Sequence, residues 1–265
     1  MTAAEFTFSF NCLGEVSMQE RLDAAQAAGF TDIGISIRWM GIWLESHDLA
    51  ELDAMLAARG QRITELEAVR VMGLEPDPRG DLAAMLAEHY RPMRLQSVGP
   101  YVGTLDEAAA RVARVADRFA QWGVEVVLEP LPFTNMSTPA IAADIIRRSG
   151  CANVSMCLDI WHLYRADLPM AHLDDLWPVI STVQFNDGTI VAQHPDLLTD
   201  CLENRMIPGA GEFDLIGLVR QRDLKRPDAT FSIEVISKSL RTQDSTAAAQ
   251  AIADGINLVL TASRS

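Results

Sequence analysis

Four short apolar runs in this chain each end on a side chain that can hold a cation. Val124–Glu129 (VEVVLE) ends on Glu129, Val154–Asp159 (VSMCLD) on Asp159, Ile180–Gln184 (ISTVQ) on Gln184 and Phe231–Glu234 (FSIE) on Glu234. Side chains alternate faces along a strand. Glu129 therefore shares a face with Val127, Asp159 with Cys157 and Ser155, Gln184 with Thr182, and Glu234 with Ser232. The opposite faces carry Val126 and Leu128, Met156 and Leu158, Val183 and Phe185, and Ile233 and Val235. Those faces belong against helices. The other faces point inward, small and polar below and acidic at the top, so the oxygen-bearing groups converge at one end.

Buried carboxylates without a partner are costly. A salt-bridge network with barrel Arg or Lys is the plain alternative to a metal, and these four strands contain neither residue. One divalent cation held by Glu129, Asp159, Gln184 and Glu234 is the expectation. Oxygen ligands select a hard ion of the Mg2+ or Mn2+ class. His162 follows Asp159 by three positions on the same side of the chain and is a candidate substrate contact. Arg205, just before Pro208-Gly209-Ala210-Gly211, is the one basic residue of an otherwise acidic insertion. Asn186 and Asp187 follow Gln184 and could orient the site or the loop. Glu65 and Glu67 close a third strand, on a solvated rim or in the site, and Glu67 is kept as a substrate-contact candidate. Trp39 and Trp43 lie in the stretch after the second strand; Trp39 is read as a wall of the substrate pocket, with lid packing the alternative.

The elements that must position these groups alternate in type. Strands are predicted at Glu5–Phe10, Thr31–Ser36, Arg62–Ala68 and Pro92–Val98, ahead of the four already named. Ser17 with Glu20 and Thr104 with Glu107 have capping-box spacing. Asp48 and Asp81 open further helices, and Thr138-Pro139 opens another with proline at its first position. A looser helical region spans Met170–Trp177, and the next helix runs from about Glu212 to Arg222. The last helix carries Ile252, Ile256 and Val259. About eight strand–helix repeats describe an α/β fold with parallel strands. A single closed (β/α)8 TIM barrel over residues 1–265 fits better than an open sheet, since the chain length matches the ~250 residues of such barrels. Gly188–Arg205 is a long loop insertion, a length that usually serves function.

Composition excludes several classes. Lys and Arg number 22 against 36 Asp and Glu, a formal charge of −14. That surface repels phosphate backbones and anionic membranes, so neither nucleic acid nor membrane is an expected partner. No run approaches the ~18 apolar residues of a membrane helix, and no signal peptide is read at the N-terminus. The four cysteines show no CxxC spacing, as expected of reduced thiols in a cytoplasmic protein. No GxGxxG follows the first strand, so nothing supports dinucleotide binding.

The pieces LEP at Leu128–Pro130, LDIWH at Leu158–His162, VQFND at Val183–Asp187, RMIPGAGEFD at Arg205–Asp214 and SIE at Ser232–Glu234 resemble the xylose-isomerase-like barrel superfamily of sugar isomerases and epimerases. The resemblance implies that Glu129 and Glu234 both bind the metal and shuttle protons on opposite faces of a substrate. It implies that Asp159 is a ligand and that His162 and Arg205 hold substrate oxygens. The third-ligand position is often His in such enzymes. Gln184 stands there in this chain, as in hydroxypyruvate-isomerase-like members, and favours Mg2+ or Mn2+ over Zn2+.

The implied chemistry is isomerisation or epimerisation of a small hydroxy-ketone or keto-sugar through a metal-stabilised enediolate. A dehydratase or lyase of the same fold, on a cyclic polyhydroxy ketone or keto-glycoside, uses the same enolate and is the alternative. Abasic-site endonucleases share the barrel, but strands three and four end without the histidines their zinc ions need. A non-catalytic sugar binder is opposed by the intact acids. The oligomeric state is not legible, although barrels of this kind often pair as homodimers or homotetramers.

Overall fold

Runs such as FTFS, DIGIS and VSMCLD bury one apolar face each, and parallel strands joined by helices let all of them do so at once. In the computed structural model, which describes residues 2–265, they close into a ring. The strands are β1 (Phe6–Ser9), β2 (Asp32–Ser36), β3 (Arg62–Val69), β4 (Arg94–Ser97), β5 (Glu125–Leu128), β6 (Val154–Asp159), β7 (Ile180–Phe185) and β8 (Thr230–Ile233). Every neighbouring pair is parallel, and β8 returns to β1 with Phe6 beside Phe231. The helices are α1 (Met18–Ala27), α2 (Ile37–Trp43), α3 (Leu49–Arg59), α4 (Gly80–Tyr90), α5 (Leu105–Ala120), α6 (Pro139–Ser149), α7 (Ile160–Arg165), α8 (Leu197–Glu203), α9 (Leu215–Lys225) and α10 (Ser245–Ser263). None is long and apolar enough to cross a membrane, among the described residues.

Local sequence sets most helix ends. Thr104 and Glu107 form the full capping box of α5. Ser17 caps α1, but the Glu20 carboxylate accepts instead from Ser245 Oγ at 2.8 Å and ties α1 to α10. Asp81 lies inside the first turn of α4 and caps nothing, and α9 is capped by Asp214 rather than begun at Glu212. Gly60 and Gly150 end α3 and α6 in the left-handed region that a side chain disfavours. The expected loop after β2 is helix α2, because Ser36 Oγ accepts from Trp39 N and starts a turn there. The region Met170–Trp177 resolves into the 3-10 turns Met170–Leu173 and Trp177–Val179. The Gly188–Arg205 insertion carries α8.

Apolar side chains fill the space between barrel and helices, with Phe6 stacked on Phe231 at 4.9 Å and edge-on to Phe185 at 5.5 Å. The barrel interior is polar. Arg94 of β4 is buried there; its Nη1 donates to Thr182 Oγ1 at 2.9 Å and lies 3.4 Å from Glu65 Oε2. Glu65 is fully buried, and burial together with the charges of Glu234 and Glu129 pushes its carboxyl up to about 7, against the pull of Arg94. The folded chain therefore keeps a proton that the unfolded chain loses above its ordinary value of 4.5. That contribution is present below pH 4.5 and lost as pH rises toward 7. In metal-stripped protein, stability should fall across that window by at most about 1.4 kcal/mol per pH unit for this proton. Urea unfolding of Glu65→Gln at several pH values should show a flatter profile; a slope equal to the wild type would refute this assignment.

Candidate active site

The strand ends deliver their acids to one mouth of the barrel. Glu129 follows β5 directly, its N–H bonded to Ser97 O at 3.0 Å, and is 4% exposed. Gln96 Nε2 donates to Glu129 Oε2 at 2.6 Å, and His162 Nε2 stands 3.1 Å from Glu129 Oε1. Asp159 closes β6 and also caps α7: its Oδ1 accepts from Trp161 N at 2.7 Å and from Asn186 Nδ2 at 3.0 Å. That cap places His162 one turn along α7, facing back into the mouth. Glu234 follows β8; its Oε1 accepts from Asn11 Nδ2 at 3.0 Å.

Gln184 of β7 completes the group. With its amide nitrogen turned toward the acids it donates to Asp159 Oδ2 at 3.0 Å and to Glu129 Oε1 at 3.3 Å. Turned the other way, the same amide would offer its carbonyl oxygen to a cation. Glu129, Asp159 and His162 bring one ligand atom each within 4.8 Å of one another, so a metal site fits these residues. Glu234 does not join that tight set.

Glu234 is paired instead with Arg205. Its Nη1 donates to Asp159 Oδ2 at 2.7 Å and to Glu234 Oε2 at 3.0 Å, with both partners buried. A salt bridge thus enters the mouth from outside the four strands, which the absence of Lys and Arg within them did not foresee. Arg205 is held by its Nε on Cys201 O at 3.3 Å and by Nη2 on Cys201 Sγ at 3.2 Å, both from α8. Asp187 secures the loop that follows: its carboxylate accepts from the N–H groups of Gly188, Gly209, Gly211 and Phe213. A Cβ at Gly211 would sit 2.3 Å from Asp187 Oδ1, so the P-G-x-G turn needs glycine there. Asp187 therefore orients the loop, and Asn186 orients Asp159.

Electrostatics divide the acids. Burial raises Asp159, but Arg205, His162, Asn186 and the Trp161 N–H outweigh it and hold the carboxyl below its usual range. Burial raises Glu234, and Glu129 and Asp159 add to it, while Arg205 and Asn11 oppose. Burial and the Glu234 and Glu65 charges push Glu67 well up.

Six of the candidates come together: Glu129, Asp159, His162, Gln184, Arg205 and Glu234. Glu67 is linked to them, since Asn11 Nδ2 donates to Glu67 Oε2 at 2.7 Å as well as to Glu234. Neither Glu65 nor Glu67 is a solvated rim, because β3 runs on to Val69 and carries both inside. Trp39 stands apart, on α2, lining an adjacent cavity with Asn11. Asn11 and Gln96 escaped the sequence reading. The parity of RLQS puts Gln96 inward beside Arg94 and would have found it; Asn11 lies past its strand, where parity lapses.

The xylose isomerase-like TIM barrel profile matches residues 22–259. No curated protein matches the chain. Among solved structures, the IolI protein "with a binding zinc atom" superposes with TM-score 0.80 at 16% identity, covering 97% of this chain and 98% of that one. The probable 3-DHS dehydratase AsbF of Bacillus anthracis gives TM-score 0.75 at 16% identity, covering 97% and 98%. An L-ribulose 3-epimerase gives 0.71 at 17%, covering 98% and 96%. Against a xylose isomerase-like TIM barrel/4-hydroxyphenylpyruvate dioxygenase fusion protein (TM-score 0.81, 18% identity, 95% of this chain) the chain spans 41% of that protein's length. At such identities the likeness concerns the fold, and the match of the profile to nearly all of the sequence supplies the rest: the chain belongs to the xylose isomerase-like TIM barrel family.

Proposed function

We propose that this protein is a divalent-metal-dependent isomerase or epimerase that moves a proton beside the carbonyl of a small hydroxy-ketone or keto-sugar. The observation that carries this reading is the convergence of Glu129, Asp159 and His162, one ligand atom from each within 4.8 Å of the others, beside a second buried glutamate, Glu234. Glu129, Asp159, Gln184 and Glu234 would hold one Mg2+ or Mn2+. Such a cation offsets the negative charge that develops on a carbonyl oxygen when the neighbouring carbon loses its proton.

The chain's own groups do the rest. Glu129 and Glu234 take and return the proton, each with its own hydrogen-bond support, from Gln96 and His162 on one side and from Asn11 and Arg205 on the other. General acid–base transfer requires such groups within hydrogen-bond reach of the substrate. Arg205 and His162 hold substrate oxygens, and the carboxyl of Glu67 steadies Glu234 through Asn11. Trp161 packs against Arg205, its ring centre 5.7 Å from the guanidinium.

The fold is shared with an epimerase and with a probable dehydratase, and both would begin with the same proton abstraction. Product mass separates them. Ketoses, keto-acids and cyclic ketones incubated with Mn2+-loaded protein in D2O should give a product of conserved heavy-atom composition with solvent deuterium on one carbon. Loss of a water instead would establish the dehydratase reading. Absence of both product and deuterium exchange across the panel would overturn proton transfer.

A further inference from the structure

Beside the carboxylates lies a cavity of about 490 Å³ lined by Phe10, Asn11, Arg21, Arg38, Trp39 and Arg241, among others. Three guanidiniums face one space in a chain that carries 36 acids and 22 bases. Among the described residues none of the three forms an ion pair with a carboxylate. Arg21 is buried; its Nη1 donates to Phe10 O at 2.7 Å and its Nη2 to Gly14 O at 2.6 Å. Its guanidinium sits 4.7 Å from the centre of the Trp39 ring. Arg241 spends Nε and Nη2 on Asn11 O, at 3.0 and 2.6 Å. These direct partners are neutral carbonyls rather than carboxylates. Arg38 is exposed on α2 and has no partner among the described residues. The only acid in the lining is the exposed Glu15. Burial, with the Arg241 charge added to it, pushes Arg21 down to about 10, against Glu20 and Glu15.

Asn11 is shared between this cavity and the catalytic mouth. Its Nδ2 reaches Glu67 and Glu234 and its carbonyl holds Arg241. A substrate reacting at Glu234 meets the arginines only beyond Asn11, so the group they bind lies several bonds from the reacting carbons. Ile35, Ile42 and the Trp39 ring line the way and would pack the intervening chain. A three-carbon substrate would leave most of this space empty.

We propose that this cavity is a subsite for a distal oxyanion of the substrate, a phosphate monoester or a carboxylate, with Arg38 as its exposed clamp and Arg21 and Arg241 as its fixed field. Guanidinium groups suit such oxyanions because their paired N–H donors match the ligand's oxygens. The proposal rests on the proton-transfer reading for what the rest of the substrate does, and it is tested separately from it. Fructose, fructose 6-phosphate and fructuronate differ only in the group at one terminal carbon. With Mn2+-loaded protein, at least one of the two anions should exceed fructose in kcat/KM by about 10- to 100-fold, mostly through KM. Which anion does so identifies the group. Arg38→Glu should erase that ratio; Arg38 is exposed and unpartnered, so the fold should tolerate the change. Equal turnover of all three ketoses, or a preference that survives Arg38→Glu, overturns the subsite and leaves proton transfer standing.

Titration calorimetry with inorganic phosphate and with propionate reads the subsite without turnover. At least one should bind the wild type about 10-fold more tightly than Arg38→Glu, even if none of the ketoses reacts. Neither anion distinguishing the two proteins overturns the proposal.

Discussion

Glu234→Gln should leave a folded, metal-loaded barrel whose kcat falls by about 10²- to 10⁴-fold. The amide matches the carboxylate in shape, and its oxygen can still accept from Arg205 Nη1. What it loses is the capacity to take a proton. Burial already inclines Glu234 toward its neutral form, and the cost in stability should stay within about 1–3 kcal/mol, from the amide N–H2 that now faces Asn11 Nδ2. KM should change far less than kcat, because the lost interaction is made chiefly in the transition state. Circular dichroism and elemental analysis for metal would report the fold and the site, and steady-state kinetics the chemistry. A variant with unchanged kcat would sink the two-glutamate scheme.

Arg205→Met should give the second-largest effect, and in two opposite directions. Arg205 joins Asp159 and Glu234 in a buried network, and truncating one member of such a pair costs about 3–5 kcal/mol because the remaining charges lose their compensation. The metal-stripped variant should lose that much in urea unfolding. The same loss raises the negative potential at the mouth. Mn2+ should therefore bind the variant more tightly than the wild type and restore most of its stability through ligand linkage. Turnover should still fall, since the guanidinium no longer holds a substrate oxygen. Unfolding midpoints with and without Mn2+, in both proteins, measure this directly. Equal gains from Mn2+ in the two proteins would show that Arg205 and the metal do not share Asp159 and Glu234.

The two variants also bear on the relation between ion pair and metal. Arg205 draws on two of the oxygens proposed to hold the cation. Glu129, Asp159 and His162 form the tight set, and Glu234 is not part of it. A cation held by those residues would share Asp159 with Arg205. The sequence assigns His162 to substrate, yet its Nε2 stands 3.1 Å from Glu129 Oε1, within the candidate metal cluster. Its role is thereby tied to the occupancy of the metal site.

Much of this was legible in the chain. Strand parity depends only on local backbone geometry, so VEVVLE, VSMCLD, ISTVQ and FSIE declared which of their residues face inward. Alternation of strand and helix, with caps at Thr104, Asp48 and Thr138, declared the order of elements that a closed barrel then satisfied. Profile and fold agree with that reading over residues 22–259. The helical turn after Ser36 was not legible, since IRWMGIW has no strong period and its start rests on a single side-chain cap.

By itself, then, the sequence determined the barrel, the inward acids and the amide at the mouth, because each follows from a period of two and from the cost of exposing an apolar face. Only the tertiary structure decided which charges meet. Arg205 reaches Asp159 and Glu234 across 46 and 29 positions, and Asn11 reaches Glu234 across 223. Those contacts depend on how loops return over the ring, and loop paths carry no periodicity to read. They settle whether a buried carboxylate meets a guanidinium or an amide. The three arginines beside Trp39 gather for the same reason, from α1, α2 and the turn before α10, which closure of the barrel brings to one side.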